Sequence, residues 1–498
     1  MKSKVLRILT PVILLVAISC DTDAIESYSP KVDPTIMVKT VNVINSNYIG
    51  NGAQWDAYPH AYNDWNSPIS DADWDKMYAR LDFMKPKFMR VITTAGEMYL
   101  HGGTYDPEKN LEGLAKILDY CQSNKVTVMF GEWGFDQIST GDLNEPNLEY
   151  AARFLDFLVN DKGYTCIKYY NLINEPNGDW AATDGDYDLW QRAISLFYDE
   201  METLGVSDQV TIAGPDIAVW DGSLTNWLAQ ADYDLGDEIG LYDIHAYPDQ
   251  TSVRGGQFSE TIKAYIEATP AGKDIIMGEL GLKFNKTTEA ELYNQNLDRI
   301  AADEYAGNDS NMMVKDFFYG IDMADATMQV VNAGFSGMVA WGLDDAMHNN
   351  LGGDDKQLKV WGFWNILGEE LFGGAEEEEI RPWFYSSSLL SRYMQTGAQV
   401  FEVELPSKNG VRAIAVAHQG KYMIAVVNSS LTDYELEVKF DSGILLKSAK
   451  KYVYSEEVKP VDEAGLPIPL ETDLEIDFNE GYEIEAKGQS LVVITNMD

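Results

Sequence analysis

The chain has 498 residues, 45% of them hydrophobic, and 80 acidic against 37 basic side chains give it a formal net charge of −43. That length exceeds one ordinary domain and that apolar content excludes wholesale disorder, so two packed domains are expected. A field this negative repels nucleic acid and anionic lipid, which excludes a DNA- or RNA-binding role.

At the N-terminus, Lys2, Lys4 and Arg7 precede the apolar run ILTPVILLVAIS, which is too short to span a bilayer comfortably and ends at small residues. This is the pattern of an export signal. The stretch LVAISC resembles a bacterial lipobox and implies Cys20 as the lipidated first residue of a mature lipoprotein, with residues 1–20 removed. A polar tether follows over 21–35. A lipid-modified terminus anchors a protein without spanning the bilayer, so the expected location is the outer membrane or surface of a bacterial cell. Cys121 falls in a helix pattern and Cys166 at a strand start, without CxxC spacing. Both are expected as buried free thiols, and neither a metal nor another cofactor is expected.

Over 36–397 strand and helix patterns alternate. VKTVNVI, FMRVITT, VTVMFGEW, IKYYNLINE, VTIAGPD, YDIHAYP, DIIMGELG and SGMVAWGL read as strands one to eight. The helices between and after them are DADWDKMYARLDFM, LEGLAKILDYC, LEYAARFLDFLV, YDLWQRAISLFYDEMETLG, LTNWLAQA, FSETIKAYIEA, VKDFFYGIDMADATMQVVNAG and YSSSLLSRYMQTG. Ser70 and Asp71 cap the first and Gly334 stops the seventh. Eight such units predict an α/β fold, a closed (β/α)8 barrel of parallel strands. An open doubly wound sheet lacks its usual motivation, because no G-x-G-x-x-G follows the first strand. Long segments at 281–312 and 344–381 follow strands seven and eight, on the face where barrel sites are built. The second carries Trp361 and Trp364, candidate ligand platforms, and the run Glu376–Glu379, read as a solvated surface. Residues 398–498 change to short alternating strands with Gly, Asn, Ser and Asp turns, predicting an antiparallel β-sandwich.

The tetrapeptide NEPN occurs twice, at Asn144–Asn147 and Asn174–Asn177. The first opens a helix after a polar loop, where Asn144 or Asn147 serves as N-cap and Glu145 needs no chemistry. The second ends strand four, so Glu175 points into the catalytic face of a barrel. Strand seven ends at Glu279, between glycines that let a ligand approach closely. Two carboxylates facing each other across a barrel mouth suit glycosidic bond cleavage, one protonating the leaving oxygen while the other attacks or activates water. Glu97 and Asp216 also follow strands, without a role assigned to them.

With Asn174-Glu175 ending strand four and Glu279 ending strand seven, the barrel resembles the retaining glycoside hydrolases of clan A. Arg90 in FMRVI, His245 and Tyr247 in DIHAYP and Trp341 in MVAWG match further positions of that clan. Among its families the chain is similar to 39, 5 and 30, although Ile173 stands where family 39 usually has a tryptophan, so the resemblance is stated for the clan.

What the resemblance implies is an O-glycosyl hydrolase that cleaves a β-linked plant or microbial glycan by double displacement. Glu175 is then the acid/base, protonated near neutral pH, and Glu279 the nucleophile. Arg90 braces Glu279, Tyr247 holds it ionised, Asn174 bonds the sugar 2-hydroxyl and Trp341 floors the site. His245, Trp133 and Trp55 are further substrate-binding candidates. A surface lipoprotein that binds carbohydrate on such a barrel without cleaving it is the competing reading. A metal-dependent hydrolase is disfavoured by five histidines in the whole chain.

Overall fold

The computed structural model describes residues 34–139, 141–349 and 356–498; the export signal, Cys20 and nearly all of the expected tether lie outside the described residues. Eight parallel strands form the barrel: Gly50–Ala53, Phe88–Thr93, Thr127–Glu132, Ile167–Asn171, Thr211–Ala213, Ile239–Ala246, Ile275–Leu280 and Gly337–Ala340. Its seam is closed between the first and second by Lys87 N–H to Asn51 O (3.0 Å) and Trp55 N–H to Arg90 O (2.9 Å). The helices fall where the 3.6-residue periodicity put them, among them Asp71–Met84, Tyr187–Leu204 and Phe317–Ala333. Ser70 accepts the Asp73 N–H as N-cap, and Gly334 ends the long helix at φ 109°.

One strand is not where the sequence pattern places it. Residues Thr35–Tyr48, which contain VKTVNVI, pair with Ala398–Glu404 and Tyr434–Phe440 in the second sheet, and the first barrel strand is the glycine-rich Gly50–Ala53. The barrel therefore begins at residue 50 rather than 36. The physical reason is close packing: a Cβ at Gly52 would sit 1.7 Å from the Phe88 carbonyl oxygen, so no β-branched residue fits there.

The second sheet has nine strands in one hydrogen-bonded path, with Thr35–Tyr48 near one end of it. It wraps into a sandwich whose two buried faces are visible in single strands. Along Lys421–Asn428, Ile424 and Val426 enter the sandwich interior with Val38, Val438 and Val492. The alternate residues Met423, Ala425 and Val427 pack on Ile321, Met328 and Leu389 of the barrel helices Phe317–Ala333 and Trp383–Arg392. A buried polar contact reinforces this junction, with Ser429 Oγ donating to Asp325 at 2.6 Å.

Cys121 and Cys166 are buried free thiols. Among the described residues no helix is long and apolar enough to cross a membrane. The acidic run is less solvated than its composition suggests: Glu378 is buried, receives Lys76 Nζ, and its backbone carbonyl takes the Arg80 guanidinium at 2.6 Å.

Candidate active site

Inside the barrel the lower layer is apolar, built from Phe88, Met129, Ala213, Leu241, Ile276 and Val339. One layer up, nearer the C-terminal strand ends, the residues become ionisable. Arg90 from the second strand is fully buried, and its guanidinium serves four acceptors. It donates to Gln54 Oε1 at 2.6 Å, Asn174 Oδ1 at 2.8 Å, Asp216 Oδ2 at 3.0 Å and to Glu279 Oε1. Burial disfavours its charge, but Asp216 and Glu279 outweigh that and hold it protonated.

Glu279 reaches this layer through an irregularity. The sixth and seventh strands pair Ile244 with Met277 but His245 with Glu279, so an extra residue intervenes and turns the carboxylate inward. That extra residue is Gly278. A Cβ there would lie 2.1 Å from a carboxylate oxygen of Asp243, so the glycine answers to a buried acid and not, as the sequence suggested, to substrate approach. Tyr247 O–H donates to Glu279 Oε2. Burial pushes the Glu279 carboxyl above its usual range, against the opposing pull of His245, Arg90 and the Tyr247 hydroxyl.

Glu175 follows the fourth strand with φ 48°, a left-handed conformation rare for a residue with a Cβ. The conformation is held by Glu175 N–H to Asp216 O (3.1 Å), while Asn177 bonds the backbone of Ala218 through both its amide atoms (2.8 and 2.9 Å). Its oxygens face different partners: Oε1 is 3.1 Å from His245 Nδ1, and Oε2 accepts the Trp180 indole N–H at 2.7 Å.

His245 joins the two glutamates. Its Nδ1 is also 3.6 Å from Glu279 Oε1, and its Nε2 is 2.9 Å from Asp216 Oδ1. Burial opposes charge on the ring, but Asp216 and Glu279 raise its pKa well above the usual histidine value. As an imidazolium it donates from both nitrogens. This changes one expectation. Burial raises Glu175, but the His245 hydrogen bond and charge and the Trp180 N–H outweigh it, so its pKa lies below the usual carboxyl value. Asp216, beside Arg90 and His245, is likewise held well below its usual range despite complete burial. Asp243, buried beneath it, is pushed well above. One oxygen of Glu175, one of Glu279 and a His245 nitrogen all lie within 4.8 Å of one another, as do ligand atoms of Asp216, Asp243 and His245. Either trio has the spacing to hold a metal ion, but the Arg90 guanidinium already supplies the cation at Asp216 and Glu279.

A cleft of about 760 Å³ opens above these groups, and Glu175, Glu279, Asn174, His245, Tyr247, Trp133 and Trp341 all line it. Arg90 lies beneath them. Trp341 meets Trp133 edge-on at 6.3 Å, and His348 stacks on it at 5.6 Å with 16° between planes. Trp55 is absent from the cleft. It is completely buried against Trp74, Tyr78 and Tyr120 of the surrounding helices, so its assignment as a substrate-binding residue is corrected to core. The same correction applies to Trp364, while Trp361 does line the cleft.

Sequence reasoning left out Asp216, Trp180, Gln54 and His348. Asp216 sits in Gly-Pro-Asp, which reads as a turn, and only its place after the fifth strand hinted at more.

The first NEPN is elsewhere in its chemistry as well as in the chain. Glu145 is exposed and opens the helix Glu145–Asp156. Asn144 stands at the N-cap as expected but makes no side-chain cap hydrogen bond, and Asn147 Nδ2 donates to Asp136 O at 2.7 Å. Glu145→Gln is expected to leave kcat/KM within about twofold of the parent, and a loss matching that of Glu175→Gln would overturn the distinction between the copies.

No protein-family model matches the chain, and no curated protein matches it by sequence. Solved structures do match in fold. A GH30 endoxylanase from Clostridium papyrosolvens C71 is 13% identical with a TM-score of 0.61, over 93% of this chain and 99% of that one. A GH39 β-xylosidase from Caulobacter crescentus is 12% identical with a TM-score of 0.59, again over 93% and 99%. An α-L-arabinofuranosidase from Thermotoga maritima is 13% identical with a TM-score of 0.60 over the same shares. The likeness covers barrel and sandwich together, and the chain shares the fold of these glycoside hydrolases, as its sequence resemblance implied.

Proposed function

We propose that the protein is a retaining β-glycoside hydrolase with Glu279 as nucleophile and Glu175 as acid/base. The observation that carries the reading is the approach of the two carboxylates to within 4.8 Å, oxygen to oxygen, with His245 between them. Retaining glycosidases hold their carboxyl groups about 5–5.5 Å apart, whereas inverting ones leave about 6.5–9.5 Å for a water. Glu279 forms a bond to the anomeric carbon as the bond to the leaving oxygen breaks, and the proton on Glu175 goes to that oxygen. Water then gives its proton to Glu175 and its hydroxyl to the anomeric carbon, which releases Glu279 and restores the original configuration. Asn174, its carbonyl oxygen held by Arg90, turns its amide to the sugar 2-hydroxyl.

Of the three solved structures named above, two are, by name, an endoxylanase and a β-xylosidase and one an α-L-arabinofuranosidase. The sugar is therefore to be found by a panel of β-linked glycans and aryl glycosides. Proton NMR of the first anomer released from a cleaved substrate is expected to show β product ahead of mutarotation. Early α product would sink the double-displacement mechanism. Binding of glycans without cleavage by wild type, unchanged in Glu279→Ala, would favour the non-catalytic lipoprotein. The proposal also has the enzyme exported and anchored through a lipid on Cys20, which metabolic labelling with an alkynyl fatty acid tests: label retained in Cys20→Ser would overturn it.

A further inference from the structure

Among the described residues, the large hydrophobic side chains most open to solvent include four aromatics: Phe135 at 59%, Trp180 at 52%, Trp220 at 61% and Tyr233. Three of the four line the cleft above the glutamates, and they come from the segments after the third, fourth and fifth barrel strands. Exposed indole and phenyl faces cost solubility and mark recognition surfaces when they cluster.

The proposed roles of the glutamates give this cluster a direction. Glu175 Oε1 is held by His245, whose Nδ1 also lies 3.6 Å from Glu279 Oε1, whereas Oε2 is bonded to Trp180 Nε1 at 2.7 Å. An acid that protonates a leaving oxygen does so from the side remote from the nucleophile. Oε1 is engaged by the buried His245, so the oxygen that the half-exposed Trp180 occupies is the one open to a leaving group from the cleft.

Resting on the hydrolase reading, we propose that Trp180, Trp220 and Phe135 form a leaving-group platform that holds at least two further sugar rings. On this proposal the Trp180 N–H cedes Glu175 Oε2 to the leaving oxygen when those rings bind. The substrate class is accordingly a chain that continues beyond the cleaved bond, an oligo- or polysaccharide of neutral sugars, and not a short terminal glycoside. The carboxylate is held while the cleft is empty: beside the larger pull of the His245 hydrogen bond and charge, the indole N–H favours the ionised form, and its departure raises the affinity for the proton that the first step consumes. Other groups act on Glu175, namely His245, Asp216, Glu279 and Tyr247, of which the first three are buried and Tyr247 is part-buried. Trp180 is the half-exposed partner that an incoming chain can displace.

The experiment compares a cleaved oligosaccharide, its homologues extended on the leaving-group side and the matching p-nitrophenyl glycoside. Trp220→Ala and Phe135→Ala are expected to lower kcat/KM about tenfold on the extended chains but only about twofold on the aryl glycoside. Trp180→Phe keeps a ring and removes the N–H. Since Glu175 must be protonated to act, the high-pH limb of kcat/KM reports its pKa in the free enzyme. That limb is expected to move up by about half a unit or more, because the carboxylate has lost a donor. Equal losses on long and short substrates would overturn the platform, and an unmoved limb would overturn the role of the N–H. Both readings presuppose activity that Glu279→Ala removes; inactivity of wild type on every glycan would instead fell the hydrolase proposal and this inference with it.

Discussion

Glu279→Ala, which removes the proposed nucleophile, is expected to lower kcat/KM on the order of 10⁵-fold on any glycan the wild type cleaves, because the proposed covalent step has no substitute in the site. Glu175→Ala is expected to cost about 10²–10⁴-fold on a sugar leaving group, the usual range for a lost general acid, and much less on p-nitrophenyl glycosides, whose leaving group departs without a proton. Azide separates the two roles. In Glu279→Ala the vacated space admits the anion to the anomeric carbon, and one displacement gives a glycosyl azide of inverted configuration. In Glu175→Ala azide attacks the glycosyl enzyme instead, and two displacements give the retained azide. The same azide anomer from both variants would contradict the assignment. So would an undiminished rate in either on an unactivated glycan.

The placement of the two glutamates was legible because each ends or follows a strand that is itself legible. IKYYNLI and DIIMGEL are runs of β-branched and aromatic residues, and a barrel puts its chemistry at the C-terminal ends of such runs. Where that signal fails, so does the reading. The first barrel strand has the sequence Gly-Asn-Gly-Ala and carries no strand signature, since close contact with Phe88 removed it. The residues before it alternate as a strand should, but periodicity reports a half-buried strand and not which sheet it joins. Trp55 was misplaced by one position of pleat. Gln54 points inward, where its Oε1 takes the Arg90 guanidinium, so Trp55 points outward to the helices. Asp216 and Trp180 lie in loops whose residues read as turns, and their contacts with His245 and Glu175 depend on segments distant in the chain.

Arg90→Met tests the layer that these loops converge on. The methionine fills most of the space but leaves Asp216 and Glu279 buried without their cation, and Gln54 and Asn174 without a donor. Breaking a buried ion pair from one side typically costs about 3–5 kcal/mol, far more than an exposed pair is worth. The loss carries a pH signature. With Arg90 removed, the Glu279 carboxyl, already raised by burial, rises further above its unfolded value of about 4.3. The folded variant then binds a proton that the unfolded chain has released, so its stability falls as pH climbs through and above that value. Asp216 acts in the same sense. In wild type its depressed pKa contributes stability at neutral pH that is lost on acidification, and without Arg90 much of that contribution is missing. The gap between wild type and variant should therefore be widest near pH 7 and narrow toward about pH 4.5, measured by urea unfolding at both. Arg90→Lys keeps the charge but places it on a single ammonium nitrogen with three N–H donors where four acceptors converge on a planar guanidinium, so it should recover part of the stability and little of the activity. A gap that is constant or wider at the lower pH would mean that Arg90 acts by packing alone, and the charge balance drawn for the site would be wrong.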